Sequence, residues 1–120
     1  MLNLDTHVLV FALTDELRGA ETRLLRSDRW SVSAIVLWEI AKLVQLGRID
    51  VDLRDAAVVR AISAVHVWPI TLDIAVASTQ LDVRADPADE LIAATSVVHQ
   101  LPLVTRDRSL RRSKLVPLAA

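Results

Sequence analysis

Apolar and polar positions divide the chain into short and long segments. The short apolar runs have the length of buried strands, whereas the longer apolar stretches with polar interruptions have the length of helices. The short runs predict five strands, at residues 2–4, 30–33, 67–70, 101–105 and 115–118. Because helical segments separate these strands, consecutive strands need crossover connections. The pattern therefore predicts an α/β domain with a small parallel sheet covered on both faces.

The longer stretches predict helices, and polar residues mark several of their ends. The helices are predicted over residues 8–13, 20–26, 34–46, 53–66, 72–81 and 86–100. Ser33 is the predicted N-cap of the 34–46 helix, and Gly47 is its predicted C′ residue. Asp50 or Asp52 is the predicted N-cap of the next helix, and Thr71 that of the one after it.

Composition narrows the class of protein. The 120 residues, of which 52% are apolar, suit a single domain spanning residues 1–120. No run of about 18 uncharged apolar residues predicts a membrane span, and the N-terminal stretch lacks the basic region of a signal peptide, so a cytoplasmic protein is expected. The absence of cysteine excludes disulfides and thiolate metal sites. A net charge of −1 disfavours a generic electrostatic nucleic-acid binder but allows local basic patches.

Asp5 follows the first predicted strand directly. In open α/β sheets ligands bind beyond the carboxyl ends of the strands, so an acid at this position is a candidate functional residue. The alternative is that Asp5 is the N-cap of the helix that follows it. This stretch alone favours the cap, and the other acids of the chain favour the functional role.

Three further acids have both a structural and a functional interpretation. Asp89 lies in the first turn of the helix that Asp86 caps, where a carboxylate suits the helix dipole and can still face a cleft. Asp107 follows the fourth predicted strand and is either a site residue or a turn aspartate. Glu39 is the one acid in an almost entirely apolar helix, where it either pairs with Lys42 or requires another compensating charge.

The topology of a parallel sheet can bring these four acids to one end. Clustered carboxylates repel each other, so such a cluster requires a metal ion or protonation. Oxygen ligands select Mg²⁺ or Mn²⁺ rather than zinc, and these ions usually keep waters and accept a substrate phosphate. The cluster therefore suggests metal-assisted hydrolysis of a phosphodiester. A phosphatase or a sugar-phosphate hydrolase would use the same metals.

Six short motifs carry a resemblance to a known family. In chain order they are Leu4-Asp5-Thr6-His7-Val8-Leu9, Trp38-Glu39-Ile40-Ala41, Leu46-Gly47-Arg48-Ile49, Asp86-Pro87-Ala88-Asp89, Leu91-Ile92-Ala93-Ala94 and Leu103-Val104-Thr105-Arg106-Asp107. Together they resemble the PIN domain, and more narrowly the VapC-type toxins of prokaryotic toxin–antitoxin pairs. The resemblance extends from the first predicted strand to the fourth.

The resemblance implies a three-layer α/β/α fold with strand order 3-2-1-4-5. It also implies an endoribonuclease that depends on Mg²⁺, for which Mn²⁺ can substitute. The residues carried over as metal ligands and catalytic acids are Asp5, Glu39, Asp89 and Asp107, with Thr6 and Thr105 as supporting polar residues. The implied partners are an RNA substrate, a second copy of the chain and a small antitoxin protein.

Two positions depart from the family pattern. Ala88 stands where relatives often carry an aromatic residue, and Glu90 stands where they usually carry arginine. Glu90 adds negative charge beside the predicted metal site. It favours an alternative function, a catalytically weak PIN-like module that acts mainly by binding a partner protein or RNA.

A basic run surrounds the last of the four acids. Its arginines either position RNA phosphates or form a solvated loop, and the candidate RNA contacts are Arg106, Arg108, Arg111 and Arg112. His7 is close to Asp5 in sequence and is a candidate substrate contact. A histidine-based ribonuclease would need two convergent imidazoles, for which the sequence offers no paired motif.

Overall fold

Four short strands form the centre of the molecule. The computed structural model describes residues 1–119, in which the strands are β1 (Leu2–Leu4), β2 (Trp30–Ser33), β3 (His66–Trp68) and β4 (Leu103–Val104). All neighbouring strands are parallel, in the order β3-β2-β1-β4. The predicted α/β fold with a small parallel sheet is therefore confirmed. The predicted fifth strand is reduced to a single parallel bridge between Leu103 and Leu118.

Seven helices within residues 1–119 connect and flank the strands. They are α1 (Thr6–Leu13), α2 (Gly19–Arg26), α3 (Ala34–Gln45), α4 (Ala56–Ser63), α5 (Leu72–Ser78), α6 (Pro87–His99) and α7 (Arg108–Arg111). Their order agrees with the prediction, although α4 and α5 are shorter than expected and α7 was not predicted. None of these helices is long and apolar enough to cross a lipid bilayer.

The ends of α3 form as the sequence predicts. The Ser33 hydroxyl accepts a hydrogen bond at 3.3 Å from the backbone N–H two residues later. At the other end Gly47 has a φ of +69°, in the left-handed region that glycine adopts without strain. The N–H groups of Gly47 and Arg48 donate to the carbonyls of Val44 and Leu43, which is the Schellman pattern of helix termination.

The prediction for the start of α4 was wrong. Asp55, rather than Asp50 or Asp52, is the N-cap, and its carboxylate accepts hydrogen bonds from two backbone N–H groups at 2.9 and 3.2 Å. Two apolar residues before it, Val51 and Leu53, pack against the interior from a loop. The sequence pattern suggested a helix here because apolar residues that are buried from a loop can have the same spacing as those on the buried face of a helix.

A buried asparagine attaches α6 to the central strand. Asn3 is fully buried in β1, and its side-chain amide donates to the Ile92 carbonyl at 3.1 Å and to the Ser96 hydroxyl at 2.9 Å. Hydrophobic residues of β1, β2 and β4 and of the helices form the core around it. Because a buried amide is costly without partners, these bonds select one position of α6 along β1.

We expect Asn3→Ala to lower the free energy of unfolding by about 1–3 kcal/mol, because it leaves the buried Ser96 hydroxyl without its donor. Urea unfolding measures this difference. Ser63→Ala is the matched control, since the exposed Ser63 hydroxyl donates only within its own helix, and a change below about 0.5 kcal/mol is expected. Equal losses in the two variants would contradict the role of Asn3.

Candidate active site

The topology brings the starts of two helices to the carboxyl ends of two strands. Residues after β1 and β4 lie at the carboxyl edge of the sheet, and α3 begins there because it directly follows β2. Helix α6 leads back to the amino end of β4, so its first turn lies at the same edge. Four predicted site acids occupy these positions: Asp5, Glu39, Asp89 and Asp107.

Asp5 is the N-cap that one interpretation of the sequence predicted, and it also occupies the strand-end position that the other requires. It is the N-cap of α1 and lies at the carboxyl end of β1 with only 6% of its surface exposed. Its carboxylate accepts hydrogen bonds from the Thr6 N–H at 2.8 Å and from the Thr105 hydroxyl at 2.6 Å. Burial raises the pKa of Asp5 above its ordinary value, although these two hydrogen bonds oppose the rise.

Glu39 is paired with a threonine and not with the lysine on its own helix. The Thr6 hydroxyl, which is buried, donates to the Glu39 carboxylate at 2.5 Å. Lys42 instead donates to Gln45 at 3.0 Å, and its ammonium group lies 5.9 Å from the ring centroid of Trp38. The half-buried Glu39 therefore faces the end of β1 rather than a cation.

Thr105 connects Asp5 to Asp107. Its hydroxyl donates to Asp5 and accepts a hydrogen bond at 3.0 Å from the Asp107 N–H. Asp107 is the N-cap of α7, and its carboxylate accepts from the Leu110 N–H at 3.0 Å. A continuous polar chain thus runs from Glu39 through both threonines to the loop after β4.

Asp89 is joined to the other acids through space. It is half-buried in the first turn of α6. Burial and then the negative charges of Asp5, Glu39 and Asp107, with a further contribution from Asp86, raise the pKa of Asp89 to about 7. Charges of the same sign raise the pKa of a carboxyl group clearly only when they lie close to it. The four carboxylates therefore share one region of negative potential.

None of the four acids forms an ion pair within residues 1–119. The two ion pairs within residues 1–119 join the amino terminus to Asp28 and Arg106 to Glu21. In the same part of the chain, no three histidine or acidic side chains are arranged so that together they could hold a metal ion. Mg²⁺ nevertheless needs only one or two direct carboxylate ligands because it keeps several waters. The uncompensated oxygen donors therefore fit a hard divalent cation.

Glu90 is directed at the backbone before α6. Its carboxylate accepts a hydrogen bond at 3.4 Å from the Ala85 N–H in the segment before this helix. The largest charge effects on the pKa of Asp89 come from Asp5, Glu39, Asp107 and Asp86. The residue that departs from the family pattern therefore has a partner of its own beside the acidic site.

The candidate RNA-binding arginines have different environments. The Arg106 guanidinium is engaged with Glu21, and Arg111 donates to the Thr105 carbonyl at 3.3 Å. Arg108 and Arg112 are exposed. The structure adds one residue that the sequence did not single out, since Arg84 lines a shallow groove of about 220 Å³ together with Val83, Ser109 and Arg112. No periodicity or motif marks Arg84, because it lies in an irregular segment.

The histidines do not form a catalytic pair. His7 is exposed at the start of α1 and lines a groove of about 450 Å³, whose floor includes Phe11, Leu43 and Ile49. His66 contacts the Trp68 ring edge to face and His99 stacks on it, with centroid distances of 4.3 and 4.0 Å. Because β3 begins at His66 and α6 ends at His99, both lie at the amino edge of the sheet, opposite Asp5.

A family comparison identifies the fold. The family model of the PIN domain matches residues 3–114, almost the whole chain. The chain belongs to the PIN-domain family. Ribonuclease VapC22 of Mycobacterium tuberculosis is 32% identical over 115 residues, which cover 90% of this chain and 88% of that protein.

Solved structures agree with this assignment of the fold. The DNA-bound VapBC complex of Salmonella typhimurium contains a chain that aligns with a TM-score of 0.73 and 22% identity, over 99% of this PIN domain and 98% of that chain. A chain of VapBC2 from Rickettsia felis, bound to a DNA fragment from its promoter, aligns with a TM-score of 0.73 and 16% identity, over 99% and 98%. A toxin–antitoxin complex from Klebsiella pneumoniae aligns with a TM-score of 0.71 and 21% identity, over 93% and 92%.

We expect the metal-free PIN domain to be more stable at pH 5 than at pH 8. The pKa of Asp89 is raised in the folded state to about 7, so the folded protein keeps a proton that the unfolded chain releases near pH 4. This stabilisation is complete below about pH 4 and is lost as the pH rises through about 7. Urea unfolding in EDTA at the two pH values measures it.

Two variants identify the group responsible for this pH dependence. Asp89→Asn removes the titrating carboxyl and is expected to remove most of the difference between pH 5 and pH 8. Glu90→Gln removes the adjacent carboxylate and is expected to keep most of the difference, since Glu90 is not among the main causes of the raised pKa of Asp89 and its carboxylate is bonded to Ala85. A wild-type protein that is equally stable, or more stable, at pH 8 would contradict the clustering of the acids.

Proposed function

We propose that this PIN domain is a divalent-metal-dependent endoribonuclease and the toxin of a toxin–antitoxin pair. The observation that carries the proposal is the position of Asp5, Glu39, Asp89 and Asp107 at one edge of the sheet, where hydrogen bonds of Thr6 and Thr105 connect Asp5 to Glu39 and Asp107. The pKa of Asp89, which burial and the charges of the other three acids raise to about 7, supports it. Clustered carboxylates repel each other, and a bound metal ion would relieve this repulsion. RNA is the proposed substrate because the relative with 32% identity is named a ribonuclease.

In the proposed mechanism the role of each acid depends on the hydrogen bonds that orient its carboxylate. A divalent cation bound here would supply a Lewis acid and lower the pKa of a water that attacks phosphorus. Asp5 is held by Thr6 and Thr105, and Asp107 by a backbone N–H, so their oxygens are oriented before substrate binds. Glu39 is held by Thr6 alone. Asp89, with its raised proton affinity, would gain most from a cation.

RNA phosphates would be positioned by arginines at the margin of the acids. Arg108 and Arg112 are exposed beside Asp107, and Arg84 lines the same groove as Arg112. Phosphate contacts of this kind fix the register of a strand without reading its sequence. These arginines would form a local region of positive charge on a chain whose net charge is −1.

A second copy of the chain and an antitoxin are the proposed partners. Exposed apolar side chains on and after the edge strand β3, among them Val67, Ile70, Leu72 and Val76, offer a surface of the kind that associates. The antitoxin is proposed because the chains with a similar fold come from toxin–antitoxin complexes. The groove that His7 lines combines apolar side chains with the polar side chains of Arg48 and Asp50, and suits a peptide segment.

The alternative is a PIN module that acts mainly by binding and has little activity. The sequence favoured it because of Glu90. The hydrogen bond of Glu90 to Ala85 weakens that argument, because the carboxylate has a partner away from Asp89. Measured cleavage decides between the two functions.

We expect cleaved RNA to carry 5′-phosphate and 3′-hydroxyl ends. A metal-activated water attacks phosphorus without using the RNA 2′-hydroxyl, whereas a histidine-type ribonuclease leaves a 2′,3′-cyclic phosphate. Mass spectrometry of the products identifies the ends, and a single 2′-deoxy nucleotide at the cut site is expected to be cleaved. Activity should disappear in EDTA and return with Mg²⁺ or Mn²⁺. Cyclic phosphate ends that persist in EDTA would overturn the mechanism.

Variants of the acids test the same mechanism. Asp5→Asn and Asp89→Asn are expected to lower cleavage by about 100-fold or more, since even outer-shell changes at metal sites cost about 10–100-fold. Glu90→Gln, next to Asp89 but bonded to Ala85, is the matched control and is expected to retain activity. Mg²⁺ should also raise the melting temperature of the wild type and of Glu90→Gln, because binding to the folded state stabilises it.

In cells, expression of the chain alone is expected to arrest growth, and Glu39→Gln to relieve the arrest. Glu39 accepts the Thr6 hydroxyl, a bond that glutamine can also accept, so the substitution removes charge while keeping a partner. Colony counts after induction, with the soluble protein quantified, measure the effect. Normal growth with abundant soluble wild-type protein would favour the binding module.

A further inference from the structure

Arg106 is positioned between two residues of the candidate site but faces away from them. It lies between Thr105, which donates to Asp5, and Asp107, the N-cap of α7. Its Nε and Nη2 atoms donate to the two carboxylate oxygens of Glu21 at 2.8 and 2.7 Å. A two-point pair of this geometry fixes the orientation of both groups, which a single charge contact does not.

The contacts of Arg106 join three segments of the chain. Nη2 also donates to the Glu16 carbonyl at 3.2 Å, in the segment between α1 and α2. The guanidinium carbon lies 3.9 Å from the ring centroid of Phe11 on α1, within the range of a cation–π contact. Glu21 is on α2, where it also accepts the Arg18 N–H at 2.8 Å. The loop after β4 is therefore attached to both helices at the other end of the sequence.

This attachment differs from that of an exposed surface pair. The side chains of Arg106 and Glu21 are only 25% and 14% exposed. The hydrogen bonds from Arg106 are the main reason that the pKa of Glu21 is lowered to about 2, so the pair stays ionised over the whole range in which a ribonuclease is assayed. With Nε and Nη2 engaged and one face on Phe11, the guanidinium has only Nη1 left for other contacts, so its two-point binding is directed at Glu21 and not at a phosphate.

We propose that Arg106 is a positioning residue, whose two-point pair with Glu21 and contact with Phe11 hold the Thr105–Asp107 loop in the orientation that directs Thr105 and Asp107 at the acidic site. This role rests on the proposed function and replaces the RNA contact expected for Arg106 from the sequence. It accounts for an arginine next to Asp107 that leaves the negative charge of the site uncompensated. It also assigns a role to Glu21, which lies outside the acidic cluster.

Glu21→Gln separates the positioning role from an RNA contact. It removes a negative charge, so a released Arg106 would bind RNA more tightly and lower KM. A positioning role predicts instead that kcat falls about tenfold or more while KM stays within about twofold, because small misplacements of site groups lower the rate. Asp15→Asn is the matched control. It removes an equal charge in the segment before α2 from an exposed residue with a φ of +59°, which asparagine also adopts readily, so both constants should stay within about twofold.

Arg106→Lys provides a second, independent variant. Lysine keeps the positive charge that a phosphate contact needs but cannot form the two-point pair. A fall in kcat similar to that of Glu21→Gln would support the positioning role, and unchanged kinetics would overturn it. Because the substitution keeps the charge and most of the side-chain length, it also tests the role if Glu21→Gln does not fold.

Amide hydrogen exchange tests the same role without any activity. The N–H groups of Asp107 and Leu110 donate to Thr105 and Asp107, so a loosened loop should exchange them about tenfold faster in Glu21→Gln than in Asp15→Asn. Amides of α3 should be unchanged, which excludes general destabilisation. A wild type without ribonuclease activity would refute the proposed function and leave this measurement to decide. Equal exchange in the two variants would overturn the role of Arg106.

Discussion

The constraint on which the site depends is the burial of the Asp5 carboxylate. Only 6% of the surface of Asp5 is exposed, and a buried charge is unfavourable unless hydrogen-bond donors compensate it. Here the Thr6 N–H and the Thr105 hydroxyl are these donors. The first donor requires α1 to begin directly after β1. The second requires β4 to pair beside β1, as it does through Asn3 and Leu103. One carboxylate therefore determines how a strand, a helix and a distant loop meet.

The N-termini of two helices partly stabilise the clustered negative charges. Asp5 is the N-cap of α1, and Asp89 lies in the first turn of α6. The N-terminus of a helix carries partial positive charge and free N–H groups, both of which favour a nearby carboxylate. The same residues thus begin helices and gather oxygen donors at one edge of the sheet. Function and stability are coupled here because both depend on the same carboxylates.

The fold was predictable from the sequence where local pattern and topology agree. Alternating strands and helices required a parallel sheet, and residues after β1 and β4 had to meet at one edge. Partners distant in sequence were not predictable, since nothing local shows that Arg106 pairs with Glu21, 85 positions away. Lys42 was one of the alternatives for the partner of Glu39, and Thr6 is the actual partner. Asp55 was not predicted as the N-cap of α4 because the apolar residues of the preceding loop had been assigned to the helix.

The hydrogen bond between Thr105 and Asp5 joins residues 100 positions apart, and this separation has a consequence for synthesis. A ribosome adds Thr105 100 residues after Asp5, so a growing chain has the acid long before the hydroxyl that holds it. Asp107 is added later still. The proposed ribonuclease site is thus incomplete until β4 and the loop after it have left the ribosome.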